Sequence, residues 1–256
     1  MSLTRLALRF AMPAPNIEDF ERYLFIGPHP DDVEIGAGAT AAKLAAAGKH
    51  VSFLICTDGR YGLETAPEGT TPEQLAEMRR EEALASAKIL GIEDVRFLNL
   101  SDGGLYDIKD MMRGIARVIG ETQPQVVFAP DPEVTSECHA DHRNTGEAAR
   151  RMACFAPYQA LMEQYGAASA DVRAIAFYMT AKPNRFVNTR GMMQRQLDAI
   201  LCHRSQFTEE SEAYRNIVLY LRLRAADFGL RSFCRQAEGF RVLNQTQMHC
   251  LPEAGR

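Results

Sequence analysis

The sequence has no long apolar run, no paired cysteines and no basic excess, and each absence excludes a class of protein. No stretch reaches the roughly 20 apolar residues that a membrane-spanning helix needs, and Arg9 interrupts the apolar start, which argues against a signal peptide. The formal net charge is −4 at pH 7, whereas nucleic-acid-binding domains usually carry a basic bias. The composition therefore predicts a protein without a membrane span and without a nucleic-acid partner.

The six cysteines are scattered along the chain, and none of them forms a C-x-x-C pair. Secreted domains that depend on disulfides usually space their cysteines more densely. We therefore expect reduced cysteines and a cytoplasmic protein.

Short apolar runs alternate with helical patterns over the first 155 residues. The runs at 23–27, 51–57, 95–100 and 125–130 predict strands, and the segments 34–48, 71–91, 107–121 and 139–156 predict helices. Further along, the pattern predicts strands at 171–180 and 239–243 and helices at 189–202 and 209–228. Alternating strands and helices are typical of βαβ units with a parallel sheet. We predict an α/β fold: a single domain with a Rossmann-like, mostly parallel sheet and helices on both faces.

Polar side chains follow the first and the fourth predicted strands. The stretch "GPHPDDVEIG" (27–36) follows the first strand, and "ECHADH" (137–142) follows the fourth. Because sites in open α/β sheets form beyond the carboxyl ends of the strands, we expect the two stretches to meet at one edge. Histidine with carboxylate is a zinc-type ligand set, and a catalytic zinc keeps three protein ligands. The candidate side chains are His29, Asp31, Asp32, His139, Asp141 and His142.

The pair of motifs resembles the PIG-L/LmbE family of zinc-dependent N-acetylglucosaminyl deacetylases. The resemblance rests on "PHPDDVEIGAGAT" with "HADH", and it extends to "TDGRYG" (57–62), "RREE" (79–82), "HRSQF" (203–207) and "EGF" (238–240). It covers roughly residues 23–243. We therefore expect an N-terminal extension over 1–22 and an LmbE-like deacetylase domain over 23–256.

The resemblance implies a metal-dependent hydrolase that removes an acyl group, first of all acetyl, from the amine of an N-acetylglucosamine-type sugar or glycoconjugate. It implies one zinc per chain, held by His29, Asp32 and His142, and it favours a homo-oligomer. Zinc in such a site activates water and polarises the amide carbonyl.

The resemblance also implies the catalytic groups. It makes Asp31 the general base that takes a proton from water. It makes His139, oriented by Asp141, the group that stabilises the oxyanion or protonates the amine. The two adjacent aspartates of the first motif thus have separate expected roles, one on the metal and one on the water.

Residues outside the two motifs carry weaker signals. We predict that three of these residues contact the substrate: Asp58, Arg60 and His203. Asp58 and Arg60 lie in the loop after the second strand, and they could equally well belong to a solvated loop without a role in binding. Arg79 and Glu82 share a helix at a spacing that permits an ion pair, and we predict such a structural pair near the site.

Other functions stay open at this point. One is a same-family amidase that acts on a larger acyl conjugate, and another is a non-catalytic sugar-binding protein. A third is a thiol hydrolase that uses Cys138. The "GAGAT" stretch (36–40) lacks the third glycine of a dinucleotide-binding loop, so close packing of a helix on the sheet explains its glycines better. We also predict that 157–170 and the chain after 203 line the entrance to the site.

Overall fold

A computed structural model describes residues 7, 8 and 10–251, apart from the side chain of Cys250. The strands are β1 Arg22–Gly27, β2 His50–Thr57, β3 Asp94–Leu100, β4 Val126–Pro130, β5 Ala174–Tyr178, β6 Arg185–Asn188 and β7 Ala237–Asn244. The helices are α1 Asp32–Ala46, α2 Pro72–Leu90, α3 Ile108–Thr122, α4 Ala140–Phe155, α5 Gln159–Gln164, α6 Met193–Ile200, α7 Glu212–Arg231 and α8 Gln245–Cys250. None of the helices described is long and apolar enough to cross a membrane.

The strands form one sheet in the order β3-β2-β1-β4-β5-β7-β6. The first five strands of this order are parallel, with Phe25 of β1 in register with Phe53 of β2 and Phe128 of β4. Strand β7 runs antiparallel to both β5 and β6. The prediction of a Rossmann-like, mostly parallel sheet is confirmed.

Side chains of β1 alternate between two cores, since successive residues of a strand point to opposite faces. Tyr23 and Phe25 belong to the core on one face, and Leu24 and Ile26 belong to the core on the other. The Phe25 ring stacks on Phe128 with centroids 4.0 Å apart, and burying one such ring stabilises the fold by about 1.5–3 kcal/mol. Helix α1 covers the first face, while α3 and α4 cover the second, so both faces of the sheet are buried.

Helix α2 begins and ends where its sequence predicts. The Thr71 side chain accepts a hydrogen bond from the Gln74 backbone N–H, and the Gln74 side chain accepts one from the Thr71 backbone, a complete capping box. The helix ends at Gly91, whose φ of 85° suits a glycine cap. This firmly capped helix carries Arg79 to the edge of the sheet where the site forms.

Gly36 lets α1 lie directly against the end of β5. A Cβ at this position would stand 2.2 Å from Cδ2 of the Tyr178 ring. The Tyr178 hydroxyl in turn donates to the Ile26 carbonyl at 2.8 Å, which ties β5 to β1. Close packing, as predicted from "GAGAT", is therefore the structural role of this glycine.

Three short elements and one placement differ from the sequence-based expectations. Strand β6 and helices α5 and α8 were not predicted, because each has six residues or fewer and lacks a full period of apolar residues. The segment 157–170 lies near the point where β4 begins, because Gln123 Nε2, just before this strand, donates to the Ser169 carbonyl. The two motifs lie at the other end of the strands, beyond their carboxyl termini. The prediction that it lines the entrance is wrong. Of the expected extension over 1–22, Ala14 and Ile17 are buried in the core.

Candidate metal centre

The two motifs meet at the point where the strand order reverses. From β1 the chain adds β2 and β3 on one side and then returns to add β4 on the other. Tyr23 and Val126 are register partners in this parallel pair, so β1 and β4 end side by side. Ligands of open α/β sheets bind in the crevice at such a switch point.

Two histidines and one aspartate form a compact cluster at this crevice. Ligand atoms of His29, Asp32 and His142 all lie within 4.8 Å of one another. His29 Nδ1 is 2.9 Å from Asp32 Oδ2, and His142 Nε2 is 3.4 Å from the same oxygen. Although burial alone would raise the pKa of Asp32, His142 and His29 hold that pKa well below its usual range.

A carboxylate holds the far nitrogen of each histidine in the cluster. His29 Nε2 lies 3.0 Å from Asp141 Oδ2, and His142 Nδ1 lies 3.0 Å from Glu137 Oε2. Burial alone would lower the pKa of His29, but its contacts with Asp141 and Asp32 outweigh burial and raise it to about 10. Metal-ligating histidines usually have such a partner, which fixes the ring and its tautomer.

The donor set of this cluster fits a metal ion. Two imidazoles and a carboxylate converge, since His29 Nδ1 and His142 Nε2, the ring nitrogens that Asp141 and Glu137 do not contact, both face Asp32. Three protein ligands of this kind leave an open position, as catalytic sites require. The cluster can therefore hold a divalent metal with room for water or substrate.

Asp141 is the most buried member of the second motif. Its side chain has no exposed surface, and besides His29 it accepts the backbone N–H groups of Gly103 and Gly104 at 2.7 and 2.8 Å. Both glycines have a positive φ, at 77° and 75°, which turns their N–H groups toward the carboxylate. Burial works against the charged form, yet the contacts with His29 and Tyr106 and the Gly103 N–H lower the pKa of Asp141 to about 2.

His139 caps helix α4 and lies beside the cluster. Its Nδ1 accepts the Asp141 backbone N–H at 3.3 Å, so the ring proton of the neutral imidazole is on Nε2. Burial, followed by repulsion from His29 and His142, lowers the pKa of His139. The expected orienting contact with the Asp141 carboxylate is loose, at 3.7 Å, since Asp141 binds His29 more closely.

Asp31 faces the crevice but belongs to a different ion pair. Its Oδ2 is 2.9 Å from Arg79 Nη2, and both side chains are buried. Burial raises the pKa of Asp31 to about 6 in spite of the opposing Arg79 charge. The predicted pair between Arg79 and Glu82 is wrong: Glu82 instead accepts the backbone N–H and the hydroxyl of Ser205, both at 2.7 Å.

The three expected substrate residues, Asp58, Arg60 and His203, all have protein partners in the structure. Arg60 Nε and Nη2 donate hydrogen bonds to Asp58 Oδ2 at 2.9 and 2.6 Å, so the two side chains form an ion pair. His203 has no exposed surface, and its Nε2 faces Glu34 Oε1 at 3.3 Å inside the protein. The structure therefore places His203 in the interior beside Glu34, and a contact of His203 with substrate stays a prediction.

Two further side chains of the site escaped the sequence analysis. Glu137 lies five residues before His142, and this spacing indicated no contact because the chain changes from a loop to helix α4 between the two residues. Asp102 follows β3, is 7% exposed, and has an Oδ1 without a hydrogen-bond partner among the described residues. Its position after a strand on the same edge was an available signal.

Comparisons with known proteins agree with this geometry. The sequence profile of the PIG-L family, described as GlcNAc-PI de-N-acetylase, matches residues 24–153, about half of the chain. A diacetylchitobiose deacetylase from Thermococcus kodakarensis is 35% identical over 239 residues, which cover 92% of this chain and 88% of that protein. The chain belongs to the PIG-L family of de-N-acetylases. The predicted family membership is confirmed, and the chain is an N-deacetylase by that membership.

Other PIG-L relatives share a smaller part of the chain. A 1D-myo-inositol 2-acetamido-2-deoxy-alpha-D-glucopyranoside deacetylase from Kineococcus radiotolerans is 39% identical over 117 residues, which are 44% of this chain and 32% of that protein. The part of the chain that the family profile matches, residues 24–153, includes the two motifs of the site.

Solved structures show the same fold over nearly the whole chain. The N,N'-diacetylchitobiose deacetylase from Pyrococcus horikoshii has a TM-score of 0.87 at 30% identity and covers 98% of this chain and 97% of its own. A 4-carboxy-2-hydroxymuconate hydratase from Pseudomonas putida has a TM-score of 0.74 at only 19% identity. The second likeness shows the fold alone, so the reaction is decided by the site and not by the architecture.

Proposed function

We propose that this PIG-L family protein is a zinc-dependent enzyme that removes the acetyl group from the amine of an N-acetylglucosamine-type sugar in a glycoconjugate. One observation carries the proposal: His29, Asp32 and His142 converge within 4.8 Å at the switch point of the sheet. A diacetylchitobiose deacetylase that is 35% identical over most of the chain supports the substrate class.

We assign the metal to His29, Asp32 and His142, with Asp141 and Glu137 behind the two imidazoles. Zinc suits this donor set because it accepts histidine and carboxylate ligands in a tetrahedral arrangement with one open position. Zinc supplies Lewis-acid activation of water and of the amide carbonyl.

We assign the proton transfer and the oxyanion contact to two side chains beside the cluster. Asp31 has one oxygen on Arg79, and its Oδ1 is without a hydrogen-bond partner in the described part of the chain, so that oxygen can take a proton from the attacking water and later pass it to the leaving amine. His139 can donate a hydrogen bond from its Nε2–H to the developing oxyanion. A neutral imidazole can make this hydrogen bond, in agreement with the lowered pKa of His139.

Asp102 completes the proposed site. Its buried Oδ1 lacks a partner among the described residues, and an unpaired buried carboxylate oxygen costs free energy until a donor reaches it. A sugar hydroxyl is a donor of the required kind. We therefore add Asp102 to the residues proposed for substrate recognition, beside Asp58 and Arg60.

The proposal includes a cytoplasmic location and a homo-oligomer. The five cysteines with described side chains are all free, which supports a reducing compartment. Leu219, Leu223 and Leu230 on α7 are 58%, 64% and 79% exposed, and they lie on one face of the helix. Light scattering of the purified protein tests the oligomer, and a monomer at all concentrations contradicts it.

Acetate release from N-acetylglucosamine, diacetylchitobiose and N-acetylglucosaminyl-inositol tests the reaction. Chelator treatment should abolish release, and added zinc should restore it. Asp31→Asn should keep the metal and lose about 10²–10⁴-fold in turnover, as removal of a general base does. Asp32→Ala should lose the metal itself, because only two protein ligands are left. An enzyme that releases acetate equally well without metal, or with both of these changes, contradicts the assignment.

A further inference from the structure

A pocket with a volume of about 220 Å³ lies beside the metal cluster, at the same edge of the sheet. Pro30 follows β1, Asp58 follows β2, and Asn99 is the last residue but one of β3, and all three line the pocket. Because Pro30 stands between His29 and Asp31 in the sequence, the pocket begins one residue away from the cluster. The pocket has room for one sugar ring, and it is within reach of a group that is attached to the reacting sugar.

Arg80 lines the pocket from helix α2 and has hydrogen-bond donors to spare. Its guanidinium carbon lies 4.1 Å from the centre of the Phe97 ring, and its Nη1 donates to Asn99 Oδ1 at 3.3 Å. Arg80 has no ion-pair partner among the residues that the structure describes. The contact with the aromatic ring holds the guanidinium in place while most of its N–H groups stay available to a ligand.

Strand β3 is irregular at the point where it lines the pocket. Its pairing with β2 gains one extra residue between Phe97 and Leu100, and Asn99 within this bulge has a φ of 54°. Asparagine adopts such a left-handed backbone more readily than most residues, and bulges often re-aim side chains next to active sites. The amide oxygen of Asn99 accepts from Arg80, so its NH₂ group, which has no acceptor in the described part of the chain, can donate to a ligand.

The charges around the pocket favour a neutral ligand over an anion. The pocket is lined by three carboxylates, those of Asp58, Glu73 and Glu77, and by two guanidinium groups. One of these, that of Arg60, is already paired with Asp58 at 2.6 Å and lies 3.7 Å from Glu73. A phosphate group would be repelled by the excess of carboxylates, whereas a hydroxyl group both donates and accepts and can bind to either kind of side chain.

We propose that this pocket binds the second unit of the substrate, a neutral polyol joined to the anomeric carbon of the acetylated sugar, and that Arg80 and Asn99 donate hydrogen bonds to its hydroxyl groups. The inference rests on the proposed function, in which an N-acetylated sugar reacts at the metal. The pocket lies beside the reacting atoms and not among them, so its contacts are the same in the ground state and the transition state. Their loss should therefore raise KM and leave kcat unchanged.

The ratio of kcat/KM for diacetylchitobiose to kcat/KM for N-acetylglucosamine tests the inference. The unaltered protein should prefer the disaccharide by about tenfold or more, and Arg80→Met should reduce this preference about tenfold through the KM of the disaccharide, as loss of a charged hydrogen bond does. Asn99→Gly should reduce it about threefold, and glycine suits the φ of this position. Arg96→Met is the matched control, because Arg96 lies on the opposite face of β3 and pairs with Asp94 at 2.9 Å; its preference should change less than about twofold.

Two further measurements keep this inference apart from the proposed function. N-acetylglucosamine 1-phosphate should react no faster than N-acetylglucosamine, and a faster reaction that Arg80→Met abolishes makes the pocket an anion site and overturns the inference. Calorimetric titration of Asp31→Asn, in which hydrolysis is slow, should show about tenfold tighter binding of the disaccharide than of the monosaccharide, and Arg80→Met in the same chain should remove the difference.

The outcomes that overturn the inference leave the proposed function standing. They are a lowered kcat with unchanged KM in Arg80→Met, an equal loss of preference in Arg96→Met, and equal binding of the two sugars in the titration. If the unaltered protein deacetylates no N-acetyl sugar, the proposed function fails, and the titration still decides whether the pocket binds the second unit.

Discussion

The two carboxylates behind the histidines should contribute unequally to metal affinity. Loss of such a partner typically weakens metal binding by 10–100-fold. Glu137 is 28% exposed in its side chain and makes one contact with His142, at 3.0 Å, so water can replace part of what it provides. We expect Glu137→Gln to weaken zinc binding by about tenfold, which corresponds to about 1.4 kcal/mol.

Asp141→Asn should have the larger effect. The Asp141 carboxylate has no exposed surface and accepts from Gly103, Gly104 and His29. An amide has one accepting oxygen, so its NH₂ group would face a donor N–H with no water to intervene. We expect zinc affinity to fall by about 100-fold, at the upper end of the usual range.

Competition with a chelator of known zinc affinity measures both effects. Glu133→Gln serves as the control, because Glu133 lies in the same loop and pairs with Arg150 at 3.4 Å instead of with a histidine. The reasoning is refuted if Glu137→Gln binds zinc as tightly as the unaltered protein, or if Glu137→Gln loses more affinity than Asp141→Asn.

Three other predictions concern stability and the thiol alternative. Burial raises the pKa of Glu238 from 4.5 to about 7. The folded protein should therefore lose stability as pH rises from about 4.5 to about 7, because the charged carboxylate is more stable in the unfolded chain, where water solvates it. The loss is at most about 3.5 kcal/mol, at about 1.4 kcal/mol per pKa unit. Urea unfolding at about pH 5 and pH 8 should show the loss, and Glu238→Gln should remove it. An unchanged pH dependence of stability in the variant rejects the idea. Gly36→Ala should destabilise the folded protein by about 1–3 kcal/mol, because the new Cβ clashes with Tyr178. Gly38→Ala should cost less, because its Cβ meets the flexible Gln196 side chain at 3.1 Å. Equal melting temperatures of the two variants contradict this prediction. Cys138 should be dispensable for catalysis; its exposed thiol faces the Ser136 carbonyl at 3.6 Å. Cys138→Ser should therefore keep the rate of acetate release within about twofold. A loss of activity as large as that of Asp32→Ala would favour the thiol mechanism instead.

Local patterns in the sequence were sufficient for the order of most strands and helices and for the meeting of the two motifs. Parallel strands that are neighbours end at one edge, so residues that directly follow β1 and β4 must come together once the sheet forms. The capping box of α2 is another local signal, because Thr71 and Gln74 interact within one helical turn. The resemblance to the PIG-L family was inferred mainly from the two motifs, whereas family membership is shown by matches over half of the chain or more.

The short elements were beyond such reasoning. Strand β6 has four residues and pairs only with β7, more than fifty residues further along the chain. Its apolar content is too small to show a period of two, and only its place beside β7 makes it a strand. The antiparallel direction of β7 likewise follows from how the chain returns to β5, which no local pattern records.

The sequence by itself determined which residues stand at the ends of the strands, and with them the donors of the candidate metal centre. The tertiary structure alone decided which partner each charged side chain takes: Asp141 with His29, which is 112 residues away, Arg79 with Asp31 instead of Glu82, and His203 with Glu34 in the interior. The physical reason is that a motif is read from covalent neighbours, whereas a buried charge is satisfied by whichever donor or acceptor the fold brings within about 3 Å.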